Sequence, residues 1–343
     1  KKGKKIKLTI DTEVQKLTHE LLEGKAGSIS VMDIYTGEII AMNSSPSFDP
    51  NLFLYGIDKQ KWREIQKDPL KPLLNKSVSG LYSPGSTIKP IVALSALENN
   101  IISPDLKVNC KGHKHPLELY GSKYHCWKKK GHGYMSLSNA IKQSCDTYFY
   151  EVARLLGVDK LKETAKKFGL GETVLGDFFN EKKGVVPSTE WKKRAIGQNW
   201  YLGETLITGI GQGYIQTTPI QLCLMTAQLA NGGFKIYPKI ILDSNQETVE
   251  EIKSKMLSEM ETNEEDIKSR FNSGIFFGDD SKKYKALYRN KENVKFVLNA
   301  MFRSTNEVYG TSFSSRIEDP KYQFAGKTGT AQVKRITEAE REL

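Results

Sequence analysis

The sequence predicts a mixed α+β fold, and three observations carry that prediction. Two apolar runs, Ser28–Met32 and Ile39–Met42, bracket Tyr35-Thr36-Gly37, the pattern of a β-hairpin within Gly27–Met42. Apolar stretches of helical length, with helical start and stop signals, fill the middle of the chain. A further strand is expected late, over Phe324–Val333. With 343 residues, 38% of them hydrophobic, the chain can bury a sizeable core in one large domain or two smaller ones.

Taken in order, Lys1–Lys7 is a basic lead-in. Leu8–Asp11 reads as a short strand running into a helix capped by Asp11 or Thr12. The hairpin follows, then a Pro/Asn loop over Ser45–Phe53. Pro84-Gly85 precedes Ser86, and the apolar stretch Ile88–Leu97 follows it. Pro90 falls in the first turn of that helix, where a missing N–H is tolerated. Ser86 is therefore expected at a helix N-terminus, with Lys89 one turn on and on the same face. Leu137–Leu156 reads as two helical pieces that meet at Ser144–Asp146. Asp159–Phe168 is a helix stopped by Gly169, and Thr218-Pro219 opens one that ends near Asn231-Gly232-Gly233. Asn293–Phe302 reads as helical, and the late strand carries Lys327. Residues 243–290 are dense in Glu, Lys, Ser and Asn and read as a partly helical surface insertion. The chain has no internal repeats.

The 51 Lys and Arg residues outnumber the 40 Asp and Glu, for a net charge of +11. The positive residues are mostly Lys and are spread along the chain, with no nucleic-acid motif beside them. An anionic polymer or lipid surface suits such a charge as well as nucleic acid does, and nucleic acid is not the expected partner. No apolar run approaches the ~18 residues of a spanning helix. No signal peptide is present. The first residue is Lys, so the chain is read as a piece of a longer product.

Three short strings carry chemistry: Ser86-Thr87-Ile88-Lys89, Ser144-Cys145-Asp146 and Lys327-Thr328-Gly329-Thr330. In this order they match a known motif set for serine acyl transfer. No other Ser in the sequence has a Lys three residues later. Ser86 is the expected nucleophile, and a Ser hydroxyl is weak until a base takes its proton. Lys89 can be that base only when neutral, which burial and a neighbouring cation such as Lys327 favour. Ser144 is expected to pass a proton between Lys89 and the leaving amine. An ionised Asp146 cannot donate to a substrate carbonyl as Asn would, so it reads as a partner for Lys89 or Lys327. Cys145 reads as buried structure. Lys327–Thr330 is expected on an edge strand facing Ser86, to which an extended peptide can add. There Gly329 leaves room for close approach, and Lys327 with the Thr328 and Thr330 hydroxyls suits a terminal carboxylate. Taken singly, each motif has a plain reading: a capping Ser with a surface Lys, a helix-junction cap, a polar strand end. The three together set those readings aside.

A second signal lies in residues 110–132, which hold four of the five His and two of the four Cys. The spacing Cys110-x2-His113-x-His115, then His125-Cys126-x5-His132, suits a four-coordinate Zn2+ site. The candidate ligands are Cys110, Cys126, His132 and His113. A Cys110–Cys126 disulfide and incidental His on a basic surface are the alternatives. Any such metal would be structural, because Ser/Lys chemistry does not need one.

Further strings extend the three motifs: LTID (8–11), TGEIIAM (36–42), SFDPN (47–51), GLYSPGSTIKP (80–90), GIGQGY (209–214), TPIQL (218–222), ANGG (230–233) and AGKTGTAQ (325–332). Together they resemble a class B penicillin-binding protein transpeptidase domain over much of the chain. The Ser-Cys-Asp form of the second motif and CWKKKGHG (126–133) resemble its penicillin-binding protein 2 branch, the elongation D,D-transpeptidases. Many relatives have Asn where this chain has Asp146.

The resemblance implies a serine β-lactamase/D,D-transpeptidase-like fold: an antiparallel sheet between helices plus a helical lobe. It implies one transpeptidase domain over 1–343, with a Cys/His-rich insert at 106–135 and the polar insertion at 243–290. The family's last strands and C-terminal helix are expected beyond Leu343. It implies that Ser86 attacks the D-Ala–D-Ala bond of a peptidoglycan stem peptide, releases D-Ala and passes the acyl group to a neighbouring amine. The backbone N–H groups of Ser86 and Thr330 would form the oxyanion hole, and β-lactams would acylate Ser86. No cofactor is required for that catalysis. Implied partners are a polymerising glycosyltransferase and a rod-shape scaffold protein. The implied location is the periplasmic face of the bacterial inner membrane, with an anchor upstream of Lys1. The rivals are a D,D-carboxypeptidase or β-lactamase, with water as acceptor, and a non-catalytic scaffold module. No Glu can be assigned by spacing as a deacylating base.

Overall fold

Asp11 starts the first helix, α1 (Thr12–Leu21), its carboxylate accepting the N–H groups of Glu13 and Val14 at 2.9 and 3.0 Å. The computed structural model describes residues 3, 5–176, 180–242, 247–260 and 284–332. They divide into two units. One comprises Lys1–Tyr82, Lys167–Gly184 and Thr217–Arg289; the other comprises Ser83–Lys166, Val185–Gln216 and Asn290–Leu343.

In the first unit the expected hairpin forms. Strands β1 (Gly27–Met32) and β2 (Ile39–Ser45) pair antiparallel, Gly27 opposite Ser45, with a bulge between Val31 and Met32. Helix α1 packs on β2, where Gln15 and Asn43 exchange side-chain and backbone hydrogen bonds. After the exposed α2 (Lys59–Lys67), the short α3 (Lys76–Ser79) touches both strands. Helix α10 (Pro219–Ala230) packs on β1. Thr218 and Gln221 close a capping box at its start, and Pro219 occupies the first turn. The hairpin thus lies between helices, as an α+β fold requires. Leu8–Asp11 contributes a single bridge, Leu8 opposite Ile241, rather than a full strand.

The polar insertion is not only surface. Helix α11 (Val249–Met260) turns Ile252 and Met256 into the core around Ile39, Val78, Ile220 and Phe234. Their spacing of one helical turn puts both on one face. Burying two such side chains contributes about 1.5–3 kcal/mol each. Residues 243–246 and 261–283 lie outside the described residues.

The second unit is built around α4 (Lys89–Glu98), all ten residues of which are buried. Burial on every side puts it at the centre of the unit's core, with Lys89, Ser95 and Glu98 as its polar members. Around it pack α5 (Leu137–Lys142), α6 (Asp146–Leu156) and α12 (Lys291–Asn306), and α9 (Leu202–Thr208) packs on α6. Helices α7 (Val158–Lys167) and α8 (Thr189–Ile196) complete the helical set among the described residues. Two small antiparallel pairs sit in the Cys/His-rich insert. These are β3 (Val108–Cys110) with β6 (Gly133–Met135), and β4 (Leu117–Leu119) with β5 (Ser122–Tyr124).

The strand expected over Phe324–Val333 does not form over its described part. Residues 323–332 carry no ladder; their backbone partners are scattered instead. Gly326 N–H donates to Met301 O, and Phe324 O accepts from Asn306 Nδ2. The sequence pattern sets an extended backbone, but a strand also needs a partner's hydrogen bonds, and none of the described residues supplies them. Val333 lies outside the described residues. No described helix is long and apolar enough to cross a membrane.

Candidate active site

All the residues of the three motifs fall in the second unit. Ser86 sits in a 3-10 turn, Gly85–Ile88, that runs directly into α4. Gly85 has φ 56°, a conformation glycine adopts without penalty. Its N–H donates to Gly211 O at 2.9 Å. A Cβ on Gly85 would lie 2.5 Å from Thr330 O, one on Gly211 2.1 Å from Gly85 O, and one on Gly329 2.6 Å from the Thr87 methyl. Three glycines therefore let the Ser86 turn, the 209–213 loop and the 327–330 segment meet at backbone contact.

Lys89, fully buried at the start of α4, donates to Asp146 Oδ1 at 2.7 Å, Ser144 O at 2.9 Å and Ser144 Oγ at 3.3 Å. Three acceptors are what the three N–H bonds of an ammonium need. Asp146 is the first residue of α6, where the helix dipole favours an anion. Ser144 sits at the α5–α6 junction with φ 53°, left-handed and rare for a residue with a Cβ. Its Oγ stands between two lysines, accepting from Lys327 Nζ at 2.9 Å as well as from Lys89. Lys327 is only half-buried as a residue, but its ammonium end is packed inward. That burial, then the charge of Lys89, hold its pKa well below 10.5, with Asp146 opposing.

The rest of the 327–330 segment is partly committed. Thr328 Oγ1 donates to Thr311 Oγ1 at 2.8 Å, so its donor is already spent inside the protein. Thr330 is exposed, and its carbonyl accepts from Gln212 Nε2 at 3.3 Å. The sequence reading missed Gln212, although it lies in the GIGQGY string. It also missed Trp127. The indole Nε1 of Trp127 donates to Ser144 O at 3.1 Å, and its backbone N–H donates to Asp146 Oδ2 at 3.0 Å.

The Cys/His cluster gathers beside this motif. Ligand atoms of Cys110, Cys126, His132 and Cys145 all lie within 4.8 Å of one another, with the three cysteines buried. Two glycine turns make this close approach. Gly112 and Gly131, at φ 83° and 75°, touch across the knuckle, and His132 N–H donates to Cys110 O at 3.0 Å. His132 Nδ1 lies 3.5 Å from both Cys110 Sγ and Cys126 Sγ. His113 is not in the cluster: its ring stacks edge-on against His125 at 5.6 Å. The fourth donor is Cys145, brought in by the turn that places Ser144. The signal for it was available, since Cys145 is one of only four cysteines. Cys110 and Cys126 are both free thiols rather than a disulfide. Burial opposes a charge on His132, but the two thiols beside it raise its pKa to about 9. Hydrogen bonds from Cys126 and Cys145 lower the Cys110 thiol. Three buried thiols and one imidazole at this separation fit a tetrahedral Zn2+.

The fold and this constellation are those of the penicillin binding protein transpeptidase family, as comparison with known proteins shows. The family model for the penicillin binding protein transpeptidase domain matches residues 27–341, and the chain belongs to that family. It is 35% identical over 340 residues to the peptidoglycan D,D-transpeptidase MrdA of Acinetobacter baumannii, covering 99% of this chain and 46% of that protein. It is 34% identical to MrdA of Escherichia coli K12 over 333 residues, covering 96% and 48% respectively. The chain thus spans about half the length of these curated relatives. Among solved structures it is similar to Pseudomonas aeruginosa PBP2 in complex with WCK 5153, with a TM-score of 0.80 and 38% identity. That match covers 96% of this chain and 68% of the other. Helicobacter pylori PBP2, solved in complex with MreC, gives a TM-score of 0.79 at 32% identity, covering 96% and 55%.

Proposed function

We propose that this chain is the transpeptidase domain of a peptidoglycan D,D-transpeptidase, with Ser86 as its nucleophile. The observation that carries the reading is Ser144 Oγ held between Lys89 and Lys327, in the unit that also presents Ser86 at the head of α4. Ser86 Oγ attacks the carbonyl of a D-Ala–D-Ala bond while its proton passes into the Lys89–Ser144–Lys327 group. The backbone N–H groups of Ser86 and Thr330 receive the oxyanion. Ser144 returns the proton to the leaving D-Ala nitrogen. An acceptor amine then takes the acyl group, closing a cross-link. Lys327, with Thr330 beside it, meets the substrate carboxylate. A β-lactam enters the same path and stays on Ser86.

Cys110, Cys126, His132 and Cys145 would hold a structural Zn2+, which ties the knuckle to the α5–α6 junction and takes no part in the reaction. The relatives solved with MreC and as a peptidoglycan synthase complex support a scaffold and a polymerising glycosyltransferase as partners. A site on the peptidoglycan side of the membrane follows from the substrate.

Labelling with a fluorescent penicillin, read by intact mass, tests the assignment. One adduct on the wild type, lost in Ser86→Ala, is expected. An adduct retained in Ser86→Ala, or none on folded wild-type protein, overturns it.

A further inference from the structure

Trp127 addresses the same two residues that Lys89 does. Lys89 takes one lone pair of Ser144 O at 2.9 Å, and the Trp127 indole takes the other at 3.1 Å. Lys89 takes Asp146 Oδ1 at 2.7 Å, and the Trp127 backbone N–H takes Oδ2 at 3.0 Å. Burial does not account for this placement, since Trp127 is 55% exposed. Its ring stacks edge-on against His132, 5.3 Å away, and stays half open to solvent. Ser144 meanwhile keeps a left-handed backbone, φ 53°, which residues with a Cβ rarely adopt. Such a conformation persists only where its surroundings over-determine it.

We propose that Trp127 is a positioning residue for acyl transfer: its indole N–H holds the Ser144 peptide so that Ser144 Oγ stays between Lys89 and Lys327. The inference rests on the acyl-transfer reading given above. The relay needs Ser144 Oγ within reach of both amines, at 3.3 and 2.9 Å. That position is set by rotation of the Ser144 peptide about its own backbone. Lys89 alone is a poor anchor for that peptide, because the same Nζ also serves Ser144 Oγ and Asp146. The indole is a donor with no second task, and it is fixed by the ring's contact with His132. A proton relay therefore has a rigid anchor outside the groups that move protons.

The test separates the N–H from the ring. Trp127 is replaced by benzothienylalanine, which keeps the ring's shape and puts sulfur where the N–H was, and in a second variant by Phe (Trp127→Phe). Both keep the backbone N–H and hence the bond to Asp146. Stopped-flow acylation with a chromogenic cephalosporin, over a range of concentrations, gives the initial dissociation constant and the limiting acylation rate separately. The limiting rate is expected to fall about tenfold in both, the scale of one lost hydrogen bond in a transition state. The dissociation constant and the melting temperature of the benzothienyl variant stay at their wild-type values. A benzothienyl variant that acylates at the wild-type rate overturns the proposal. So does a loss confined to the dissociation constant, which would make Trp127 a ligand contact. If the wild type itself is not acylated, the acyl-transfer reading falls and this inference falls with it. If the wild type is acylated and the variants match it, only this inference falls.

Discussion

Lys327 Nζ donates to Ser144 Oγ across 2.9 Å of space and 183 residues of sequence. This contact joins the third motif to the second, and its chemistry follows from the state of the amine. Burial, then Lys89, depress the Lys327 pKa from 10.5, so folding disfavours its cation. The sign follows from linkage. Lys327's contribution to stability is fully present above 10.5 and is lost as pH falls through its folded value. The stability of wild type relative to Lys327→Met is therefore expected to rise as pH is raised from neutral towards 10.5, by urea denaturation at each pH. Acylation of the wild type is expected to fall on the acid side as the amine is protonated. A pH-independent difference would contradict this.

Asp146 is the carboxylate that answers the fully buried Lys89. Asp146→Ala leaves a buried cation without a counter-charge and is expected to cost about 3–5 kcal/mol. Asp146→Asn removes the same charge but keeps the size and one acceptor oxygen for Lys89, and should cost less than Asp146→Ala. Equilibrium urea unfolding of the two variants checks the order. Equal losses would mean that the charge both variants remove, not the shape or the remaining acceptor, sets the cost at this position.

Elemental analysis should find one zinc per chain, and a chelator should lower the melting temperature. Cys145→Ser is expected to lose the metal, whereas His113→Ala keeps it, since His113 stacks on His125 outside the cluster. Because Cys145 lies between Ser144 and Asp146, the Cys145→Ser protein should also acylate more slowly. Zinc lost in His113→Ala and kept in Cys145→Ser would reverse the ligand assignment.

Two glycine substitutions separate strain from contact. Gly197 has φ 76° with nothing within 4 Å of a new Cβ, so Gly197→Ala should cost about 1–2 kcal/mol of left-handed strain. Gly211 has φ 77°, and its new Cβ would lie 2.1 Å from Gly85 O. Gly211→Ala adds a backbone collision that displaces the turn bearing Ser86. It is expected to cost more than Gly197→Ala and to slow penicillin labelling, which Gly197→Ala leaves alone. Similar labelling rates in the two would show that the turn tolerates the shift.

Much of this was legible in the sequence. The hairpin pattern, the cap at Asp11 or Thr12 and the helix start at Thr218-Pro219 are local signals, and the structure forms a hairpin, an Asp11 cap and a helix from Pro219 there. The turn at Ser144–Asp146 was readable because two helical patterns meet there. Other features depended on distant partners. The 243–290 composition hid the inward face of Ile252 and Met256, since only two residues in a polar stretch carry it. The late strand has an extended pattern but no described ladder partner, and a pattern cannot report what lies beside it.

By itself the sequence determined the candidate groups: a Ser with a Lys one turn on, a second Ser with an Asp, and a Lys-Thr-Gly-Thr string, in order. It did so because helical spacing and turn chemistry act over a few residues. Only the tertiary structure decided what those groups do to one another. It paired Asp146 with Lys89 and depressed Lys327 rather than pairing it. It brought Cys145, not His113, beside Cys110, Cys126 and His132, and set Trp127 against Ser144 and Asp146. Charge pairing, burial and coordination depend on distances of a few ångströms between residues far apart in the chain, and packing of the whole unit sets those distances.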